Sequence, residues 1–405
     1  MPEYITKRTF KGSLGTGFAS ILFILALSMI LWPAWSTVAK AIFTAIVSQG
    51  LNTVGAQAAA QLIGAMVEGS FFWMVINTWI WQTLIMGNYG KYKFTEKQPW
   101  AGLWYMVAAW FFGIIAFAVL IGFIGLWWKP FSLGIMFMPK TAADVALAYE
   151  GWEAANFFAL AVIVAQIPFA SLLHKWPFAC TSKQPTEGLG TLAFSTGVTF
   201  LFWIALIVPS FLHLSSGEHA VTAQPYSSWP HFVAFCQAFV IFSIMPAEGG
   251  ENYPMKLFAK KQPYMAIVGF FIALIAGFLI PPFLKSIVEP MNLVPGTPVY
   301  VVVASLELSV IVFMLAWHHL FEDYPNAILV KNTALRVLTR VAIWLVGGTV
   351  YGIIWLKTYK SLPIGGNSLG MGFPTMGVIA GHFALLMPIL LFNTFFDKWP
   401  LVRKQ

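Results

Sequence analysis

The stretch NYPMKLFAKKQP, residues 252–263, indicates the architecture of the chain, because two similar stretches occur earlier. They are NYGKYKFTEKQP at 88–99 and KWPFACTSKQP at 175–185. Each begins with a polar, an aromatic and a turn residue, and each ends in Lys-Gln-Pro. Tyr and Trp favour the wet layer of a membrane surface, and Pro stops one helix or starts the next without losing a hydrogen bond. The three stretches therefore predict loops between membrane-spanning helices.

The composition around these loops excludes a water-soluble protein. Of 405 residues, 59% are hydrophobic and 9% are charged, and the mean hydropathy is +0.76. Soluble domains carry about 25% charged residues. Collagen-like, disordered, coiled-coil and disulfide-rich chains are excluded as well, and we expect Cys180 and Cys236 to be unpaired. The composition predicts an integral membrane protein with the lipid bilayer as its first partner.

Apolar windows of about 20 residues, the length of a transmembrane helix, recur along the whole chain. We predict ten spans, at residues 16–37, 61–86, 100–127, 152–173, 189–211, 231–247, 264–284, 299–319, 335–357 and 373–396. The first window has the alternative of a cleaved signal peptide, because Lys7, Arg8 and Lys11 precede it. Its apolar stretch at 17–35 is longer than the core of a usual signal peptide, which favours an uncleaved helix.

Basic residues predict the orientation of the chain. The loops after the even-numbered windows and the two tails carry sixteen Lys and Arg residues, against five in the opposite loops. Cytoplasmic loops are the basic ones, so both termini are predicted to be cytoplasmic in a cell membrane or bacterial inner membrane. The net charge of +8 would suggest nucleic acid for a soluble protein, but here it marks loop orientation, and we expect no nucleic-acid partner.

The loop pattern also predicts an internal repeat. Two further tripeptides, Asp323-Tyr324-Pro325 and Lys398-Trp399-Pro400, end the eighth and tenth windows, so that five tripeptides recur at intervals of about 71 to 87 residues. Two spans per copy give every copy the same orientation. We therefore predict one all-α membrane domain over 1–405, built from five parallel two-helix hairpins at about 1–99, 100–185, 186–263, 264–334 and 335–405.

Ionisable residues inside the spans are the first candidates for a functional site, because charge in a membrane is costly. Every even-numbered window contains one, about 18 to 24 residues before the end of its tripeptide. We call this set the outer tier: Glu68, Glu153, His231, Glu307 and His382. Equal depth on parallel hairpins predicts one shared polar interior, with Glu307 and His382 as its leading pair.

A second set lies close to the tripeptides, at the cytoplasmic ends of the even windows. We call it the inner tier: His174, Glu248, Glu251, His318, His319, Glu322 and Asp397. Asp323 adds to this layer. Carboxylates at a helix C-terminus oppose the helix dipole, so we expect positive partners there. Loop lysines are one such partner, and a cation pathway or a metal site is the other interpretation.

Two classes of function are consistent with these residues. The first is a transporter or channel for a small solute or ion, with a polar interior formed by the even-numbered helices and with no cofactor required. The alternative is a membrane subunit of a redox or respiratory complex that binds a metal, haem or quinone, together with partner subunits. A metal in the membrane is expected to use Glu307, His382 and His231. A scaffold subunit is a third interpretation, and no sequence motif of an enzyme occurs.

Overall fold

The computed structural model describes residues 6–204, 226, 228–365 and 377–404, which are helical almost throughout. We number ten long helices: α1 Gly12–Ile46, α2 Ala56–Ile85, α3 Trp100–Ile124, α4 Ala142–Ser171, α5 Thr186–Phe202, α6 Trp229–Ile244, α7 Tyr264–Val288, α8 Val299–Phe321, α9 Thr333–Thr358 and α10 Gly377–Thr394. Short helices lie at Ser48–Leu51, Leu133–Phe137 and Phe178–Thr181. Two strands, β1 Thr6–Arg8 and β2 Val402–Lys404, pair antiparallel, so the two ends of the chain lie side by side.

Eight of these helices, α1 to α4 and α7 to α10, are long and apolar enough to cross a membrane. The all-helical class is therefore confirmed, and these eight helices are compatible with a multi-pass membrane protein. In the described part of the chain α5 has 17 residues and α6 has 16, and the predicted spans at 189–211 and 373–396 extend into residues outside that part. The count of ten spans stays a prediction.

The first helix is longer than its predicted window. We predicted a span at 16–37, whereas α1 runs from Gly12 to Ile46. Apolar side chains continue through this extension, and Phe43 packs edge-on against Trp152 of α4, with 6.0 Å between ring centroids. Packing against another helix holds the extension in helical form.

The helices form two layers that follow their order in the chain. In the apolar windows of α2, α4, α8 and α10, 72–78% of the residues are buried, whereas the windows of α1, α3, α7 and α9 are 28% buried. The even-numbered helices thus form an inner layer, and the odd-numbered helices surround it and expose large apolar side chains on the outside. This distribution suits a bundle whose outer surface contacts lipid.

The even-numbered helices close into a ring, which we call the inner ring. Each even-numbered helix contacts the next even-numbered helix along the chain, including α6 with α8. The last of them, α10, also contacts α2, which completes the ring. Hydrogen bonds at four junctions are Trp73 Nε1 to Ala155 O at 3.1 Å, Ser171 Oγ to Ser243 O at 2.7 Å, Ser305 Oγ with His382 Nε2 at 3.0 Å, and Trp79 Nε1 to Thr394 Oγ1 at 3.1 Å. The polar groups of the inner helices are therefore largely directed at neighbouring helices.

The same backbone turn recurs after each even-numbered helix. Five pairs of consecutive residues have φ between 48° and 63°: Gly87-Asn88, His174-Lys175, Glu251-Asn252, Glu322-Asp323 and Asp397-Lys398. In four of the turns the second residue donates its N–H to the carbonyl six residues earlier, as Asn88 does to Gln82 at 2.7 Å. This bond spans one residue more than the 6→1 bond of a Schellman motif, and it satisfies a carbonyl at the end of the helix. We call the end of the bundle that carries these turns the turn end.

Each Lys-Gln-Pro motif joins its helix to an even-numbered helix of another hairpin. The Gln side chain donates to a terminal carbonyl of that helix: Gln98 to Phe395 at 2.8 Å, Gln184 to Ile85 at 3.0 Å, and Gln262 to Leu172 at 2.5 Å. Its Oε1 accepts from the backbone N–H four residues later. The fourth copy lacks Gln, and Arg336 and Arg340 of α9 make the corresponding contact with the turn after α6. Each odd-numbered helix therefore starts against a neighbouring hairpin.

Candidate functional site

A narrow cavity of about 50 Å³ lies on the axis of the inner ring. All five even-numbered helices line it, with Ile76, Ile163, Val240, Ile311 and Leu386 among their contributions. Gln237 supplies an amide to a lining that otherwise consists of Ile, Leu, Val, Met, Phe and Trp. Apolar constrictions of this kind keep water and ions out until they widen.

Four members of the outer tier are buried and His231 is half-buried, and the five make different contacts. Glu68 and Glu153 are 1% and 7% exposed, and they lie between α2 and α4. Tyr149 donates to Glu153 Oε1 at 2.5 Å and interacts electrostatically with Glu68. Asn156, also buried, donates to the carbonyl of Ala65 at 3.1 Å. These side chains form a polar group at one junction of the inner ring.

Glu307 is adjacent in sequence to Leu308, which lines the axial cavity, as His382 is adjacent to Phe383 of the same lining. Glu307 is 2% exposed, and within the described part of the chain neither of its carboxylate oxygens has a hydrogen-bond partner. The Cys236 thiol of α6 interacts with it electrostatically. Leu308 and Ile311, its neighbour and the residue one turn later, both line the cavity. Glu307 is thus a buried carboxyl group beside the axis.

His382 lies at the junction of α8 and α10 and is fully buried. Its Nε2 is 3.0 Å from Ser305 Oγ and 3.4 Å from Ser309 Oγ, and its Nδ1 is 2.8 Å from the hydroxyl of Tyr351 on α9. Both ring nitrogens are therefore engaged by hydroxyl groups. We predicted Glu307 and His382 as a pair, but the contacts of His382 are with these hydroxyls.

His231 lies in the first turn of α6, where its ring stacks on that of Tyr300 with 4.0 Å between centroids. The structure does not bring His231, Glu307 and His382 together as metal ligands. Among the described residues, the group close enough to hold a metal is Glu248, His318 and His319. The three ligands predicted in the outer tier do not form such a group, whereas these three residues of the inner tier do.

Three members of the inner tier form ion pairs between hairpins. Glu251 binds Arg336 and Arg340, Glu322 binds Arg8 and Lys398, and Asp397 binds Lys91. His174 is exposed in its turn, and the Lys175 beside it pairs with Glu187 at the start of α5. These ion pairs hold different hairpins together at the turn end.

Their basic partners shift the pKa values of the carboxyl groups. Burial raises the pKa of Glu322, but hydrogen bonds from Lys398, Ser13 and Arg8 outweigh it and lower the pKa to about 2. The Arg336 hydrogen bonds lower the pKa of Glu251 against a smaller opposing effect of burial. Both carboxyl groups are therefore charged at neutral pH, as their ion pairs require.

The remaining members, Glu248, His318 and His319, form a cluster with Asp323. Glu248 Oε2 lies 2.9 Å from His318 Nε2 and 3.7 Å from His319 Nε2. His318 Nδ1 is 2.9 Å from Asp323 Oδ2, and His319 Nδ1 is 2.8 Å from Asn393 of α10. The cluster joins three inner helices at the turn end. It can share protons or hold a metal ion.

Two larger apolar clefts lie between the layers. One, of about 760 Å³, is lined by residues from α4 to α7, including Phe169, Phe235 and Phe270. The other, of about 630 Å³, is lined by α1, α2, α3 and α10, including Trp35 and Trp110. Clefts of this size and chemistry accommodate acyl chains or an isoprenoid tail.

Sequence reasoning missed several polar partners. Tyr149 is four residues before Glu153, a helical spacing that signals their contact. Tyr351, Ser305 and Asn393 come from other helices, and no sequence pattern identifies them as partners of the two histidines. Such contacts depend on helix rotation, which spacing alone does not determine.

Comparison of the chain with protein-family models, curated proteins and solved structures found no match. The function therefore has to be argued from the geometry of the inner ring and its polar groups.

Proposed function

We propose that the chain is a multi-pass membrane transporter or channel that moves a small cation along the axis of the inner ring. The observation that carries this proposal is the axial cavity, to which all five even-numbered helices contribute. A ring of helices around a shared axis is an arrangement that can widen symmetrically. The scaffold interpretation gives no reason for such an axis.

Carboxyl groups lie on both sides of the apolar constriction. Glu307 is one helical turn away from Ile311, on the far side from the turn end. Glu248 lies at the turn end, after the last turn of α6 that contributes Ile244 to the lining. Carboxylates attract cations, and an apolar segment between them provides a gate that opens when it becomes wet. These positions favour a cation over an anion.

The proposal includes five like-oriented hairpins and ten spans. The recurring left-handed turns and the three equivalent Gln contacts support the repeat, because they reproduce both the backbone and the hydrogen bonds at equal positions. The pairing of β1 with β2 supports an even number of crossings, since it places the termini together. With the bias in basic residues, this arrangement puts both termini in the cytoplasm.

Flux through proteoliposomes tests the axial pathway. Ile311→Ser should raise cation flux by making the constriction wettable, whereas Leu345→Ser, at a lipid-exposed position on α9, should leave flux unchanged. Glu307→Gln should lower flux about tenfold or more, because it removes the ionisable carboxyl group beside the axis. Glu96→Gln, in an exposed loop, is its matched control. Equal flux in all four variants and the wild type contradicts the proposal.

A second candidate function is the membrane subunit of a redox complex. The group formed by Glu248, His318 and His319 favours it as a metal site, and the two apolar clefts have the size and lining for a quinone. A visible absorption spectrum and metal analysis of the purified protein distinguish the two functions. A haem or redox-active metal at one equivalent per chain, without cation flux, would favour the redox subunit.

A further inference from the structure

The cluster at the turn end contains three potential metal ligands on two adjacent inner helices. Glu248 lies in the turn that follows α6, and His318 and His319 lie in the last turn of α8. One oxygen or nitrogen atom from each lies within 4.8 Å of the others, and Glu248 and His319 are 7% and 6% exposed. We infer that Glu248, His318 and His319 bind one divalent first-row transition-metal ion, such as Zn²⁺.

The separations within the cluster suit such an ion. Bonds of about 2.0 to 2.1 Å in a tetrahedral site place neighbouring ligand atoms about 3.3 Å apart. Glu248 Oε2 lies 2.9 Å from His318 Nε2 and 3.7 Å from His319 Nε2, on either side of that value. The ligand atoms of the two histidines lie within 4.8 Å of each other as well. Three protein ligands leave a fourth position for water.

His319 provides an independent indication of a ligand. Its Nε2 is buried and has no hydrogen-bond partner among the described residues, although it points toward Glu248. A buried polar atom without a partner destabilises a protein, so such atoms are uncommon. Coordination to a metal satisfies this nitrogen without any further protein group.

The second nitrogen of each imidazole has a partner that orients it. His318 Nδ1 is 2.9 Å from the Asp323 carboxylate, and His319 Nδ1 is 2.8 Å from the Asn393 side chain. An Asn amide can present its oxygen to an Nδ1–H, and this tautomer leaves the lone pair on Nε2 for the metal. Carboxylate and amide partners of this kind are typical of histidines that bind metals.

The charges around the cluster also match a divalent cation. Glu248 and Asp323 supply two negative charges, which balance a 2+ ion bound by neutral imidazoles. The C-terminal end of α8 adds the negative end of its helix dipole. Imidazole and carboxylate together suit Zn²⁺, Fe²⁺ and related ions better than Mg²⁺ or Ca²⁺, which prefer oxygen ligands alone. The His318 side chain is 29% exposed, so the cluster is accessible from the turn end.

Metal binding to the untagged full-length protein in detergent tests this inference. After removal of metal with EDTA, titration with Zn²⁺ should show one tight site per chain, and Co²⁺ should give the visible absorption of a tetrahedral complex. His319→Ala and Glu248→Gln should abolish this site. His174→Ala removes an exposed histidine from another turn, and it should leave both the stoichiometry and the affinity unchanged.

Two gentler variants keep the test valid if loss of a ligand disturbs folding. Asp323→Asn and Asn393→Leu keep all three ligands but remove the orienting partners, and they should weaken Zn²⁺ binding by about 10- to 100-fold. Wild-type protein without a stoichiometric site, or equal binding in His319→Ala, overturns the inference. The binding measurement does not depend on transport. Absence of Zn²⁺ binding therefore does not contradict the axial pathway, and absence of cation flux does not contradict the metal site.

Discussion

Lys91 Nζ lies 3.0 Å from Asp397 Oδ1, and this ion pair joins the turn after α2 to the turn after α10. Gln98 reinforces the junction, because its Nε2 donates to Asp397 Oδ2 at 2.8 Å, and the Tyr92 hydroxyl donates to the same carboxylate. The Lys91 side chain is 6% exposed and that of Asp397 is 16% exposed. The contact therefore closes the inner ring between its first and last members.

Asp397→Asn should destabilise the protein at neutral pH by about 1–3 kcal/mol, because it removes the carboxylate charge that faces the Lys91 ammonium. Burial raises the pKa of Asp397, but Lys91 and the hydrogen bonds lower it further, so its folded pKa lies below the ordinary value. Its stabilising contribution is therefore present above about pH 4 and is lost as the pH falls through the folded pKa. Thermal unfolding in detergent between pH 7 and pH 3 should show the gap between variant and wild type narrowing in acid. A gap of the same size at both ends of this range contradicts the assignment.

The three Lys-Gln-Pro motifs predict three equivalent effects. Gln98→Leu, Gln184→Leu and Gln262→Leu each remove a donor to a helix-end carbonyl, and each should lower stability by about 1 kcal/mol. Gln57→Leu, at an exposed position, is the matched control and should have little effect. Thermal shifts of the four variants under one set of conditions provide the measurement. If one of the three Gln variants is destabilised and the other two are not, the three hairpins are not structurally equivalent.

The sequence predicts the helical class and the polar turns, because apolar windows and Tyr-Pro or Trp-Pro turns are local signals. It does not predict which face of each helix meets the axis. His382 illustrates this limit, because its partners Ser305 and Tyr351 come from two other helices. The fourth Lys-Gln-Pro motif is absent, and its contact passes to Arg336, a substitution that no motif search detects. The sequence does not determine how each helix is rotated, nor which residue takes over the contact of a missing Gln, so these contacts are seen only in the structure.

Close packing of the outer layer on the inner ring depends on glycine. At Gly113 of α3 a Cβ atom would lie 2.6 Å from the carbonyl oxygen of Trp73 in α2, so backbone would have to move. Gly113→Ala should destabilise the protein by about 1–3 kcal/mol. At Gly197 of α5 a Cβ atom would meet nothing within 4 Å, so Gly197→Ala should stabilise by about 0.5–1 kcal/mol through its better helix propensity. The two variants should shift the unfolding temperature in opposite directions, and shifts of the same sign would refute this packing.

Arg336 forms a two-pronged contact with Glu251, with its Nε and Nη2 each 2.6 Å from a carboxylate oxygen. Lys offers a single ammonium group and cannot reproduce this fork, so Arg336→Lys should lower the unfolding temperature although it keeps the charge. Glu251→Gln should lower it as well, and the double variant should lose less than the sum of the two single losses, since both act through one contact. Lys260→Met, which removes an exposed charge from the neighbouring loop, is the control for net charge. Strict additivity of the two losses would mean that the contact between Arg336 and Glu251 does not hold α9 against the turn after α6. Arg340, which donates to Gly249 O at 2.8 Å, would then hold this junction alone.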